Sequence, residues 1–238
     1  MVSIHPETLI LAYESGYFPM AEHRHAKELH WFSPDPRAII PLDAIHIPKS
    51  LRKYARKHPY RITINHCFTD VMRCCATPRT HDGDSWINEE IIALYSILHQ
   101  WGDAHSVECW DATGALVGGL YGVSRGGAFF GESMFCRAPN ASKIAFLALI
   151  EIMHKCGYTL LDSQFINDHM RQFGTIEIPR KDYMRRLKGA LIVSPNPSRL
   201  FMQHRASVIS PPLMSYEWFT HTPAGESKNQ GFSTKNRR

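Results

Sequence analysis

Apolar and polar positions recur with two periods along this chain, and the change from one to the other marks the elements. In "WINEEIIALYSILHQWG", Ile91, Tyr95 and Leu98 fall at helical spacing. Asn88 stands where a cap belongs, Glu89 and Glu90 suit an electropositive first turn, and Gly102 supplies a stop. "NASKIAFLALIEIMHKCG" is apolar almost all the way round, so it predicts a helix covered on more than one side, with Asn140 as cap and Gly157 after it. Between these two, "HSVECWD" (105–111), "ALVGGLYGV" (115–123) and "GAFFGESMF" (127–135) read as strands. The turns "ATG" and "SRGG" make them an antiparallel meander. "YTLLDSQF" (158–165) is a further strand, and "PRKDYMRRLKGAL" a helix with Pro179 in its first turn.

The flanks are less regular. Residues 1–40 predict only a short helix near Glu7–Ser15, stopped by Gly16, with Pro34 and Pro36 marking turns. "RAIIPLDAIHIP" reads as edge-type strands, "KSLRKYARKHP" as a short basic helix, Arg61–Ile64 as a strand and Phe68–Ala76 as a helix. Beyond Leu191 the text turns to Ser, Pro, Asn and Lys, so 192–238 is expected to be a loosely ordered tail. A meander, a long helix and a fourth strand predict an α/β fold with a mixed sheet, the core order of GNAT-type acyltransferases.

Composition narrows the picture modestly. With 238 residues and 44% hydrophobic content the chain can bury a full core. A net charge of +5 permits an acidic partner without demanding one. The six cysteines show no CxxC and the histidines no HExxH, so reduced thiols in a cytoplasmic protein are the plainer account and no metal is expected. "LILAY" is too short for a signal peptide or membrane span.

Polar residues that interrupt the strands carry the chemistry. Asp162 and Gln164 are two apart and point to one face of their strand; Glu132 is expected to share a face with Phe130 and Met134. The helix 140–156 joins these strands, and a right-handed crossover makes them neighbours. Two carboxylates and an amide would then meet beside apolar side chains, the usual make-up of a site. The other reading sets Asp162 and Gln164 at a solvated strand end and pairs Glu132 with a structural Arg. Lys49, Arg52, Lys53, Arg56 and Lys57 follow helical spacing and form either a solvated face or a phosphate-contacting one. Trp31 and Trp86 are either core or base-stacking. An enzyme using acyl-CoA holds the pyrophosphate with a Gly-rich turn before the central helix. Here that junction reads "CRAPNASK", which lacks a glycine.

The motifs "GYFPM", "WFSPDPRAIIPL", "DSWINEEIIALY", "LVGGLYGV", "FFGESMF", "NASK", "LLDSQF" and "EIPRKDY" occur in order. Together they resemble the leucyl/phenylalanyl-tRNA–protein transferase family from about Leu9 to about Leu187. The chain starts almost at the "AYESGYFPM" segment, as shorter members do, and Met20 stands where Trp is more usual and Ser163 where Cys is common. The resemblance implies a small truncated N-terminal segment (1–38) ahead of a GNAT-like catalytic domain (39–191). It implies transfer of Leu or Phe, less well Met, from aminoacyl-tRNA to a protein N-terminal Arg or Lys, without cofactor or metal, marking the protein for degradation. It implies Glu132, Asp162 and Gln164 as catalytic residues and a donor pocket of Leu120, Phe129, Met134, Phe146, Leu149 and Met153. It places Lys49, Arg52, Lys53, Arg56 and Lys57 under the tRNA acceptor stem and Trp86 against the terminal adenosine. Asp162 is expected to bond the side-chain amide of Gln164 and orient it. An acyl-CoA-dependent N-acetyltransferase and a non-catalytic tRNA-binding protein are the rival readings.

Overall fold

The computed structural model describes residues 4–26, 28–57, 59–77, 85–195 and the pair 208–209. Eight strands form one mixed sheet: β3 (Arg37–Ile40), β4 (Arg61–Ile64), β5 (Ala104–Trp110), β6 (Leu116–Arg125), β7 (Ala128–Cys136), β8 (Leu160–Gln164), β9 (Ile176–Ile178) and β10 (Val208–Ile209). Their order is β10-β4-β5-β6-β7-β8-β3-β9. Every neighbouring pair is antiparallel except β7 and β8, which run parallel. That single parallel pair needs a long crossover, supplied by helix α5 (Ala141–Cys156).

Two apolar layers cover the sheet. On one face lie α5 and α2 (Lys49–Ala55), the latter through Leu51 and Ala55. On the other lie α1 (Pro6–Glu14), α3 (Phe68–Cys75), α4 (Glu89–Trp101) and α7 (Arg180–Leu191). A four-residue helix, α6 (Asp168–Arg171), follows β8. In α5 every residue from Ile144 to Met153 is buried, as its all-round apolar pattern requires. In α4 the Asn88 side chain accepts from the Ile91 N–H at 2.9 Å, and Gly102 closes the helix at φ 86°. Asn140 differs from expectation: it precedes α5 in the left-handed region at φ 60° and makes no side-chain cap bond.

The first forty residues hold more structure than their prolines suggest. β1 (Phe18–Ala21) and β2 (Leu29–Phe32) form a separate two-stranded sheet, where Pro19 is tolerated because no strand lies on its outer side. Only Arg37–Ile40 of the expected edge strands is a strand, and it is interior, fully buried between β8 and β9. The boundary expected near residue 38 therefore falls inside β3. Within the expected tail, Val208–Ile209 pairs with β4; residues 196–207 and 210–238 lie outside the described residues. Among the described residues no helix is long and apolar enough to cross a membrane.

Candidate active site

The site forms where β7 and β8 part. They pair from Ala128–Leu160 to Phe130–Asp162 and no further. Just past that point each strand breaks its own alternation. On β7, Tyr121 of β6 faces Ser133 while Gly122 faces Gly131, which leaves Glu132 as the extra residue of a β-bulge. A Cβ on Gly122 would collide with the Phe130 carbonyl oxygen and the Phe129 ring, so the bulge requires glycine there. On β8, Ala38 faces Gln164 and Ile39 faces Asp162, and Gln164 adopts the left-handed region at φ 63°. Such a conformation costs a non-glycine residue on the order of 1–2 kcal/mol. Between the strands opens a cleft of about 900 Å³.

The bulge corrects the expected strand faces. Phe130 packs in the layer of α1, α3, α4 and α7, whereas Met134 packs on the α5 side, because one extra residue shifts the alternation by one. Glu132 turns toward the first of these layers. The buried Tyr13 hydroxyl of α1 donates to its Oε1 at 2.7 Å, and the Tyr95 hydroxyl of α4 donates to Oε2 at 3.3 Å. Gln164 Nε2 donates to Oε1 at 2.8 Å. Burial pushes the Glu132 carboxyl up to about 7, aided by the charge of Asp162; the tyrosine hydroxyls and Arg37 pull the other way. Burial and the Glu132 charge raise both tyrosines well above their ordinary value, so they remain donors.

Asp162 has a different environment. It is 0% exposed and bidentately paired with Arg37, Nε to Oδ1 at 3.0 Å and Nη2 to Oδ2 at 2.7 Å. Tyr183 donates to Oδ2 at 2.7 Å, and the Gln164 backbone N–H to Oδ1 at 2.8 Å. The Arg37 guanidinium lies 4.6 Å from the ring centres of both Phe18 and Tyr183 and also donates to the Gly16 carbonyl. The expected bond from Asp162 to the Gln164 side-chain amide is absent. Asp162 holds the Gln164 backbone in its left-handed turn, and the side-chain amide donates to Glu132 instead. With Nε2 so used, the Gln164 carbonyl Oε1 has no hydrogen-bond partner among the described residues, and Gln164 lines the cleft. A structural Arg does exist, but it serves Asp162 and not Glu132.

Of the expected donor pocket, Leu120, Met134, Phe146 and Leu149 line the cleft, joined by Ile40, Leu161 and Met170. Phe129 and Met153 do not; at 1% and 0% exposure they lie in the core with the other pocket residues. Trp86 lines the cleft from the α3/α4 side with Met20, Cys74 and Cys75. Lys49, Lys53, Arg56 and Lys57 are exposed on or just past α2, and Arg52 is partly buried with its Nε on the Ile47 carbonyl at 3.0 Å. The five lie on or just past α2 and are not among the residues lining the cleft. Among the described residues no group of three or more His, Cys, Asp or Glu could hold a metal ion.

Tyr13, Arg37, Tyr95 and Tyr183 were not singled out in the sequence. Tyr95 reads as one more apolar position of α4, and Tyr13 ends an apolar run. Arg37 is a lone cation at the start of a short strand. Their roles come from chain segments far apart in sequence.

Residues 39–188 match the sequence profile of leucyl/phenylalanyl-tRNA protein transferase, and residues 3–35 match that of its N-terminal domain. The chain belongs to the leucyl/phenylalanyl-tRNA–protein transferase family. It is 53% identical over 188 residues to the leucyl/phenylalanyl-tRNA–protein transferase of Hyphomonas neptunium, covering 79% of this chain and 72% of that one. For the Gloeobacter violaceus protein of the same name the identity is 50%, covering 80% and 96%. For that of Rhodospirillum rubrum it is 47%, covering 81% and 90%. Membership makes this chain an aminoacyltransferase. A solved structure of L-PGS from Bacillus licheniformis overlaps 71% of this chain and 56% of its own at 17% identity and a TM-score of 0.37, too weak a likeness to carry an argument.

Proposed function

We propose that this aminoacyltransferase moves Leu or Phe, and less well Met, from its tRNA ester to the α-amino group of a protein whose first residue is Arg or Lys. The observation that carries this reading is the 2.8 Å bond from Gln164 Nε2 to Glu132 at the parting of β7 and β8. It presents a bare amide carbonyl and an acidic group side by side in a cleft with one apolar wall. The meander, the crossover helix and the opening between two parallel strands also support a GNAT-like reading of the fold.

The tRNA ester already carries the energy for amide formation, so the protein has only to align the partners. About a tenth of an α-amine is unprotonated at neutral pH. Gln164 Oε1 accepts a hydrogen bond from that amine and holds its lone pair toward the ester carbonyl. The nitrogen forms the C–N bond, the ester C–O bond breaks, and the proton released by nitrogen ends on the ribose oxygen. Positioning of this kind supplies most of the gain through effective molarity. Asp162 and Arg37 act at one remove, by fixing the backbone on which Gln164 stands.

Glu132 takes the cationic side chain of the acceptor. Three donors occupy part of a carboxylate that can accept about four hydrogen bonds, and an arriving cation supplies the charge that burial withholds. On the opposite wall, Leu120, Met134, Phe146 and Leu149 accept an unbranched-at-Cβ side chain. An apolar pocket discriminates by only about 1–3 kcal/mol per methylene, so Met enters too. The exposed cations of α2 favour the tRNA backbone without reading its sequence. Both substrates meet in the cytoplasm, where we place the protein.

The test incubates the protein with labelled leucyl-tRNA and peptides that begin with Arg or Ala. Label is expected on the Arg peptide alone and is lost after ribonuclease pretreatment. Binding of uncharged tRNA with no labelled product, or transfer from acetyl-CoA instead, would overturn the proposal.

A further inference from the structure

Three tyrosines stand around Glu132, and only two of them bond it. The Tyr13 and Tyr95 hydroxyls bond each other at 2.5 Å and both reach the carboxylate. Tyr121 of β6 does not: its hydroxyl is buried and finds no hydrogen-bond partner among the described residues. Its ring is fixed edge-on between Tyr95 and Phe68, with centroids 5.9 Å from each and interplanar angles of 89° and 81°. A buried hydroxyl left without a partner is rare in folded proteins and asks for an explanation. The bulge gives the position. Tyr121 is paired with Ser133 and Gly122 with Gly131, so Glu132 sits directly beside Tyr121, and both residues border the cleft with Cys75, Trp86 and Phe135. Tyr121 is itself 0% exposed, so an acceptor side chain reaches its hydroxyl only by opening the packing over it. Burial and the neighbouring carboxylate also keep the phenol protonated.

We infer that Tyr121 helps to select the acceptor, its phenolic oxygen accepting a hydrogen bond from the same cationic side chain that pairs with Glu132. The inference rests on the assignment of Glu132 to that side chain. An ionised carboxylate only accepts hydrogen bonds, and the phenolic oxygen next to it has lone pairs to fill. A group that satisfies both must donate twice from one small cation. A guanidinium does this with a rigid fork of five N–H groups; an ammonium donates from a single point. Tyr121 therefore weights Arg above Lys, a distinction that the charge of Glu132 cannot make alone.

Tyr121→Phe removes only the unpartnered hydroxyl, so the melting temperature is expected to hold or rise. The KM for a peptide beginning with Arg should rise about three- to tenfold, and that for one beginning with Lys less. The loss should fall on KM rather than kcat, and the KM for leucyl-tRNA should stay put. An unchanged KM for the Arg peptide overturns the inference. A rise in the KM for leucyl-tRNA also overturns it, because the hydroxyl would then face the nucleoside. So does a lowered melting temperature, which would reveal a structural partner. Glu132→Gln is measured alongside. If it raises the KM for the Arg peptide while Tyr121→Phe does not, only the role of Tyr121 falls. If neither variant moves that KM, the assignment of Glu132 falls with it.

Discussion

Asp162 and Glu132 stand on adjacent strands and share Gln164 as a neighbour, yet their surroundings are opposites. Asp162 is closed off: a bidentate Arg37, the Tyr183 hydroxyl and a backbone N–H occupy it, and no surface of it reaches solvent. Glu132 is a partly exposed residue whose carboxyl is enclosed by neutral donors alone, and both carboxylates border the cleft. One carboxylate has its cation built in and the other does not. A carboxylate with a resident guanidinium has little left to offer a substrate and works by holding its surroundings still. One held by hydroxyls and an amide is bonded by no cation of its own, which is what the proposed acceptor role of Glu132 requires. Gln164 links the two, its backbone bound to the closed cluster and its side chain to the open one.

The largest effect is expected from breaking the closed cluster. Arg37→Met strands a fully buried carboxylate without its cation, which costs about 3–5 kcal/mol of stability. Chemical denaturation measures it, and a loss under about 1 kcal/mol would show that Asp162 is not held as an ion pair. Gln164 separates structure from chemistry. Gln164→Gly relieves the left-handed backbone at φ 63° while removing the amide. Stability should change little, and kcat should fall roughly 100-fold. Gln164→Ala should lose similar activity and be about 1 kcal/mol less stable than the glycine variant. Activity near wild type in Gln164→Gly would remove the amide from the mechanism.

A further effect concerns pH. Burial raises the folded-state carboxyl of Glu132 to about 7, whereas an unfolded Glu titrates near about 4.3. Between those values the folded chain holds a proton that the unfolded chain has lost, so this group makes stability fall as pH rises. Tyr13 and Tyr95 face it as neutral donors, and the charges of Asp162 and Arg37 act on it in opposite directions. Denaturation from about pH 5 to about pH 8 should show wild type losing stability relative to Glu132→Gln. Parallel curves for the two proteins would mean that the carboxyl titrates normally.

Much of this was legible in the sequence, though unevenly. The helices α4 and α5 and the β5–β6–β7 meander follow from periodicity and turn residues, because each element's own sequence carries its apolar face. The interior place of β3, expected only as an edge strand, and the β1–β2 hairpin do not, because a short strand's own residues do not say which strands will flank it. Asp162, Gln164 and Glu132 stood out as polar residues in apolar strands, and the structure brings all three together. The partners did not stand out: nothing in a lone Arg37 or in tyrosines on apolar stripes signals which carboxylate each will meet.

From its residues alone the chain determined which segments are helix and strand along most of its length, the family it belongs to, and which strand residues are out of place in a core. Only the tertiary structure decided which carboxylate is closed and which is open. It did so with one extra residue at the bulge and one left-handed residue at Gln164. Each of these redirects side chains by a single position, and periodicity cannot see such a shift because the alternation resumes on either side of it.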